Sequence, residues 1–354
     1  MDVNSTLAII LKKAEDALKS ELPFVVYRHP KSDFIKAIFQ KTDTLFYAKD
    51  YQESGFVFAP FDNREPSILF PFSESARFNA EIIKSFIEDK RNETILESSS
   101  EDSKAKHIDL VKEGIKFLEK NNFKKVVLSR KETIMPKKFD VIEGFKKLLL
   151  NYKHAFVYCW FHPKVGLWLG ATPETLLNVT NNTFSTMALA GTQIYGADSK
   201  VVWKPKEVEE QQLVTDFILH QLAIDVEVSI PYTVKAGSLL HLRTDISGKL
   251  TKNFTLNKII NLLHPTPAVC GVPKQEAKDF ILQNEKYSRQ FYTGFLGELN
   301  LNKTSNLYVN LRCMQLLNDQ IEIYVGGGIT KDSNPESEWK ETVAKSKVMM
   351  YILH

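Results

Sequence analysis

Four glutamates fall into two pairs of equal spacing: Glu207 with Glu210, and Glu338 with Glu341, each at the start of a segment with helical character. Residues three apart project from one helix face, so two such faces could hold one cation between them. Hard divalent ions take oxygen ligands, and Mg²⁺ is bound through one or two carboxylates, several waters and oxygens of a substrate. Taken alone, the pairs read more simply as solvated first turns favoured by the helix dipole. A second feature is YVGGGITKDSNPESEW, in which an apolar strand runs into three glycines and then a helix start. Consecutive glycines let backbone N–H groups approach an anion closely, and a helix N-terminus favours negative charge. The pattern is neither the phosphate-binding GxxxxGK[ST] nor GxGxxG, and by itself it is also a plain turn. Glu174, in Gly170-Ala171-Thr172-Pro173-Glu174, stands between two apolar strands, where desolvation can raise a carboxyl pKa and suit it to general-acid work. Lys125 heads the apolar run VVLSR. A partly buried amine gives up its proton more readily, although a strand-flanking surface lysine is the simpler reading of that residue alone. The histidines offer no HExxH, and His220, His241 and His264 each read as a core or turn residue.

The chain that must position these groups has 354 residues, 43% hydrophobic and 25% charged, with 23 Phe, which is ample material for a core and excludes disordered and collagen-like architectures. The net charge of +3 is the remainder of 46 basic and 43 acidic residues, without a long Lys/Arg tract, so nucleic acid is not an expected partner. Three cysteines, Cys159, Cys270 and Cys313, are too few and scattered for a disulfide framework or thiolate metal site, and a reducing cytoplasm fits them. The opening MDVNSTLAIILKKAEDALKSEL reads as an amphipathic helix instead of a signal peptide. No uncharged apolar run approaches the ~20 residues that cross a bilayer, so no membrane insertion is expected. A monomer is the default expectation.

Residues 22 to 72 carry short apolar or alternating runs broken by Pro, Gly and Asp, the pattern of an antiparallel sheet. A very polar stretch from 88 to 106 reads as an exposed connection, followed by a helix over 107–121 and the strand KKVVLSRKETI. A helix over 138–153 precedes the strands AFVYCWFHP, VGLWLGAT, TLLNVT and TFSTMALAG. KEVEEQQLVTDFILHQLA is helical, TVKAGSLLHLRTDISGKL forms strands, LNKIINLLHP is a helix stopped by proline, and 274–290 is helical. The strands GELNL, LYVNLRCMQLL and QIEIYVGGGI then lead to a closing helix from Pro335. No internal repeat appears.

Taken in order, KVVLSR, GATPETLL, ALAGT, KEVEEQQLV, HLRTDISGKL, LLHPTPAVCGVP, YSRQFYTGFLGEL, LYVNLR, VGGGIT and SNPESEWKETVAK resemble the chorismate-utilising enzymes, the family of isochorismate, salicylate, anthranilate and aminodeoxychorismate synthases. The resemblance implies an α+β fold: a single large domain of two layered, mostly antiparallel sheets flanked by helices. Residues 1–104 would be its variable N-terminal part and 105–354 its chorismate-binding catalytic region. By motif position, Glu210 and Glu341 would bind Mg²⁺ directly, and Glu207 and Glu338 would hold its waters or add ligation. Arg312 and Lys345 would anchor the substrate's carboxylates, amides around Gly327, Gly328, Gly191 and Thr192 would complete an anion cradle, and His241 would join the substrate-binding residues. Lys125 matches the general base that activates water for attack at ring carbon 2, and Glu174 the general acid for the 4-hydroxyl.

Within the family, ammonia-using relatives usually carry glutamine at the position of Lys125, and the aminodeoxychorismate branch has a lysine where this chain has Ala190. The echo of a tryptophan-binding signature in ILES, residues 95–98, is read as coincidence. The expected activity is therefore isochorismate synthase. The alternatives are a salicylate synthase that continues to salicylate and pyruvate, or a non-catalytic chorismate-binding protein. Two departures from the common pattern are Gln211 for histidine and Thr172 for serine. Whether the product serves menaquinone or siderophore synthesis is not written in these residues.

Overall fold

Strand Phe156–His162 is apolar at nearly every position, and a computed structural model shows why: both of its faces are covered. The structure describes residues 3–4, 6–82, 101–136, 139–195, 201–236, 239–317 and 320–353. Phe156, Tyr158 and Trp160 face an aromatic layer shared with a second sheet, while Val157 and Cys159 face a helix-covered core. Because successive strand residues point to opposite faces, a strand buried on both sides loses the polar alternation of a half-exposed one.

Each sheet has ten strands. The first runs Val3–Asn4, Ser75–Glu81, Phe34–Gln40, Phe24–Arg28, Phe156–His162, Gly166–Thr172, Cys313–Leu317, Gln320–Ile329, Lys125–Ile134 and Gly271–Val272. Its neighbours are antiparallel except Val3–Asn4 with Ser75–Glu81. The second runs Glu227–Val228, Leu239–Lys249, Thr183–Ile194, Thr175–Thr180, Thr304–Val309, Phe295–Leu301, Gly55–Ala59, Ile68–Pro71 and Phe46–Tyr47, with Tyr232–Ala236 also on Leu239–Lys249. Strands from the first 81 residues thus join both sheets.

The layer between the sheets is aromatic: Phe58, Phe70 and Leu296 from one side meet Trp160, Trp168 and Tyr324 from the other. Phe58 stacks on Phe291 at 4.3 Å and Phe70 on Trp160 at 5.1 Å between ring centroids. Helices Leu7–Lys19 and Val141–Asn151 cover the outer face of the first sheet, and Pro205–Leu222 with Leu256–Leu263 that of the second. Helices Glu101–Asn121 and Lys274–Asn284 pack on Val126, Leu128 and Ile329. Among the described residues no helix is long and apolar enough to cross a membrane.

Three sequence expectations need correction. The helix expected at 107–121 begins at Glu101, so 101–106 belong to it and not to a connection. These first turns are polar because they are held by charge: Glu101 and Asp102 sit at the dipole's positive end, Lys106 bridges Asp102 at 2.6 Å, and Lys104 reaches Glu336. Residues 88–100, with the ILES segment, lie outside the described residues. The helix expected over 274–290 ends at Asn284, where Glu285 turns inward to accept from the Ser129 N–H and to pair with Arg289. Finally, LYVNLRCMQLL is two strands: Thr304–Val309 lies in the second sheet and Cys313–Leu317 in the first. The chain crosses between sheets at Asn310–Arg312, with Arg312 at φ 46° and its carbonyl accepting from Ala171 N–H.

Candidate active site

Beside the aromatic layer lies a cavity of about 760 Å³, open solvent at its mouth included, lined from both sheets. Its wall brings together Lys125, Glu174, Gly191, Glu210, His241, Arg312, Gly327, Gly328, Glu341 and Lys345, residues spread over most of the chain. Glu207 and Glu338 are not part of this lining but adjoin its glycines, Glu207 at Gly191 and Glu338 at Gly327, and the side chain of Thr192 lies outside the described residues.

Lys125 is the first residue of strand Lys125–Ile134 and only 1% exposed, with its ammonium donating to Glu210 Oε1 at 2.7 Å. The strand pairs antiparallel with Gln320–Ile329 so that Gly328 lies opposite Val127 and Gly327 opposite Leu128. A Cβ at position 328 would stand 2.6 Å from Lys125 Cε and 2.8 Å from Glu210 Oε1, so a side chain there would displace the Lys125–Glu210 pair. At position 327 the same atom would meet Glu338 Oε2 at 3.5 Å and Glu341 Oε1 at 3.8 Å.

The two helix starts that carry the glutamates are fixed by local capping. Pro205 and Pro335 occupy first turns, where the missing N–H is no loss. Asn334 Oδ1 accepts from Ser337 N, while Glu207 Oε2 accepts from Lys204 N at 2.9 Å, so in this structure Glu207 caps its own helix. Helix Pro335–Met350 is clamped to strand Lys125–Ile134 by Arg130, which donates to Thr342 Oγ1 and lies 4.3 Å over the Trp339 ring.

Three of the four carboxylates face the Gly327–Gly328 stretch, and each has a lysine: Glu210 has Lys125, Glu341 has Lys345 at 2.6 Å, and Glu338 has Lys206 at 3.2 Å. Burial, and after it the negative charge of Glu341, raises the Glu338 pKa. Burial also disfavours the Glu341 carboxylate, but Lys345, Lys206 and Lys125 together outweigh it and the net shift is downward. Among the described residues no three acidic, His or Cys side chains stand close enough to form a ready metal cluster. The donor set still suits a hard cation that takes only one or two carboxylates: the oxygens are carboxylate, two of them repel one another, and a glycine floor leaves room beside them.

Glu174, also in the cavity wall, is 5% exposed, and burial raises its pKa to about 7 against the pull of Lys125, Arg312 and Lys345. It follows strand Gly166–Thr172 and leads into Thr175–Thr180, with its carbonyl held by Val309 N. His241, on strand Leu239–Lys249, is pushed down to about 3 by burial and then by Arg312, so it is neutral near pH 7. Its Nδ1 lies 3.0 Å from the Gly191 carbonyl, which can only accept, so Nδ1 carries the hydrogen and Nε2 the lone pair. Lys345 also donates to the Gly326 carbonyl at 2.9 Å, joining the last helix to the glycine strand.

Sequence reasoning missed Tyr292 and Thr293, which line the cavity from the loop after Lys274–Asn284, as well as Tyr324 and the ammonium of Lys206. Tyr292 and Thr293 do fall within the motif YSRQFYTGFLGEL, but nothing in their types announced a cavity wall. Val269 lines the cavity, whereas Cys270 is buried beside it with its thiol directed at the Lys274 carbonyl.

A family model described as chorismate binding enzyme matches residues 72–354. The isochorismate synthase EntC of Escherichia coli (strain K12) is 31% identical over 199 residues, 53% of this chain and 51% of that protein, so the match spans about half of that relative's length. The isochorismate synthase DhbC of Bacillus subtilis (strain 168) is 28% identical over 261 residues, 68% of this chain and 65% of that protein. The crystal structure of DhbC from Bacillus anthracis superposes with a TM-score of 0.80 at 24% identity, covering 97% of this chain and 99% of that one, which shows a common fold. With the family model covering well over half of the sequence, the chain belongs to the chorismate-binding enzymes.

Proposed function

We propose that the protein is an isochorismate synthase, with Lys125 as general base and Glu174 as general acid. The observation that carries the reading is their placement in one cavity, a buried lysine and a buried carboxyl with a pKa of about 7, together with Arg312 and Lys345 for a dianionic substrate. Water adds to ring carbon 2 as Lys125 takes its proton, the two ring double bonds shift, and the 4-hydroxyl leaves as water with the proton of Glu174. One water enters and one departs, so the conversion is an isomerisation.

The residues divide the work by charge. Arg312 and Lys345 bind carboxylates, the first from the crossing between sheets and the second from the last helix. His241, neutral with its lone pair on Nε2, can accept a hydrogen bond but adds no positive charge. Amides about Gly191, Thr192, Gly327 and Gly328 complete the anion cradle. Glu210 and Glu341 would hold Mg²⁺ directly, with Glu207 and Glu338 holding its waters or adding ligation. Bound there, the ion supplies the positive charge that takes up the substrate's ring carboxylate. Glu210, which would hold the ion, also accepts from the Lys125 ammonium at 2.7 Å and so positions the lysine beside that site. The relatives' names support the choice of product, and so does lysine where ammonia-using relatives carry glutamine.

Lys125→Ala tests the assignment. Turnover should fall by about 100- to 10,000-fold, the range of a lost general base, with an unchanged circular dichroism spectrum. A variant that keeps its rate would remove the lysine from the chemistry.

A further inference from the structure

A second cavity lies against the first, and the two share Pro173, Leu189 and Arg312 in their walls. The side chains of its wall that can carry charge at neutral pH are Lys31, Lys153, His154, Lys235, Arg243 and Arg312, and no acidic residue lines it. In a chain with 46 basic and 43 acidic residues, this is a local segregation of charge and not a reflection of composition. Arg243 is neutralised by Asp245 at 2.6 Å. Among the described residues Lys31, Lys153 and Lys235 have no carboxylate within ion-pair distance. All three are exposed; Lys31 N–H donates to the Lys153 carbonyl at 2.7 Å, and the Lys235 ammonium lies 3.4 Å over the Tyr195 ring. Cations left without counter-ions in a concave wall concentrate their field in the cavity and raise the local concentration of anions.

We propose that this second cavity is a capture vestibule for the dianionic substrate, which is first held by Lys31, Lys153 and Lys235 and then handed to Arg312, the charged residue common to both cavities. The proposal rests on the functional reading above and adds a route to the site. No covalent step occurs in the vestibule. The three lysines touch none of the reacting groups, so they govern arrival and not conversion.

The test compares the wild type with the Lys153→Glu/Lys235→Glu double variant, both holding Mg²⁺ and mixed with chorismate in a stopped-flow instrument, with association followed by intrinsic fluorescence across ionic strengths. At low salt the variant should associate about tenfold more slowly, the two rates should converge as salt screens the field, and kcat should be unchanged. Equal rates at every salt concentration would overturn the proposal. So would a deficit that persists undiminished at high salt, or a fall in kcat. A wild type that binds chorismate without converting it would overturn the functional reading instead, while the association rates would still decide the vestibule.

Discussion

Glu174 shows how one side chain sets both chemistry and stability. An unfolded glutamate loses its proton near 4.5, and Glu174 in the fold near 7, so between these values the fold keeps a proton that the unfolded chain has released. Its contribution is complete below the unfolded value and is lost as the pH rises through the folded one, at a cost of about 3 kcal/mol at full ionisation. Glu174→Gln should therefore be more stable than wild type at pH 8 in urea titrations, with the difference vanishing near pH 4, while turnover falls by about 100-fold or more. Equal stability at pH 8 would place the carboxyl in a wetter setting than the cavity provides. Spacing drew attention to the four glutamates and the resemblance gave them a role, and the Glu341–Lys345 pair is local, but the lysine partners of Glu210 and Glu338 were not legible. Glu210 meets Lys125 across 85 positions and Glu338 meets Lys206 across 132, and no local pattern encodes such pairs.

The crossing segment and the loop after Lys274–Asn284 show what periodicity misses at the level of elements. LYVNLRCMQLL is continuous in composition, yet the turn at Asn310–Arg312 sends its halves to different sheets and brings Arg312 to the cavity. The expected helix to 290 fails because Glu285 and Arg289 are used for tertiary contacts. Arg289 donates to the carbonyls of Val127 and Val269 and to Thr293 Oγ1, three residues of the cavity wall, while its partner Glu285 is almost wholly enclosed. Arg289→Ala leaves that carboxylate buried without its cation, a change that costs about 3 to 5 kcal/mol. Urea denaturation should read that loss. An unchanged midpoint would mean that the pair is not structural cement for the loop.

Across the whole molecule, most strand and helix identities were legible because each core imposes its own period on the sequence. Strands buried on both faces, such as Phe156–His162, read as apolar runs, and the helix Leu7–Lys19 shows its buried stripe. The interleaving of N-terminal strands into both sheets was not legible, because pairing partners lie far apart: Gly55–Ala59 pairs with Phe295–Leu301, and Phe24–Arg28 with Phe156–His162. That interleaving closes the aromatic layer beside the cavity where groups from Lys125 to Lys345 meet. The most direct test of the account is to incubate the purified protein with chorismate and Mg²⁺, with an EDTA control, and to resolve the products by chromatography. Isochorismate without pyruvate, abolished by EDTA, is the predicted result; salicylate with stoichiometric pyruvate, or no turnover of chorismate at all, would contradict it.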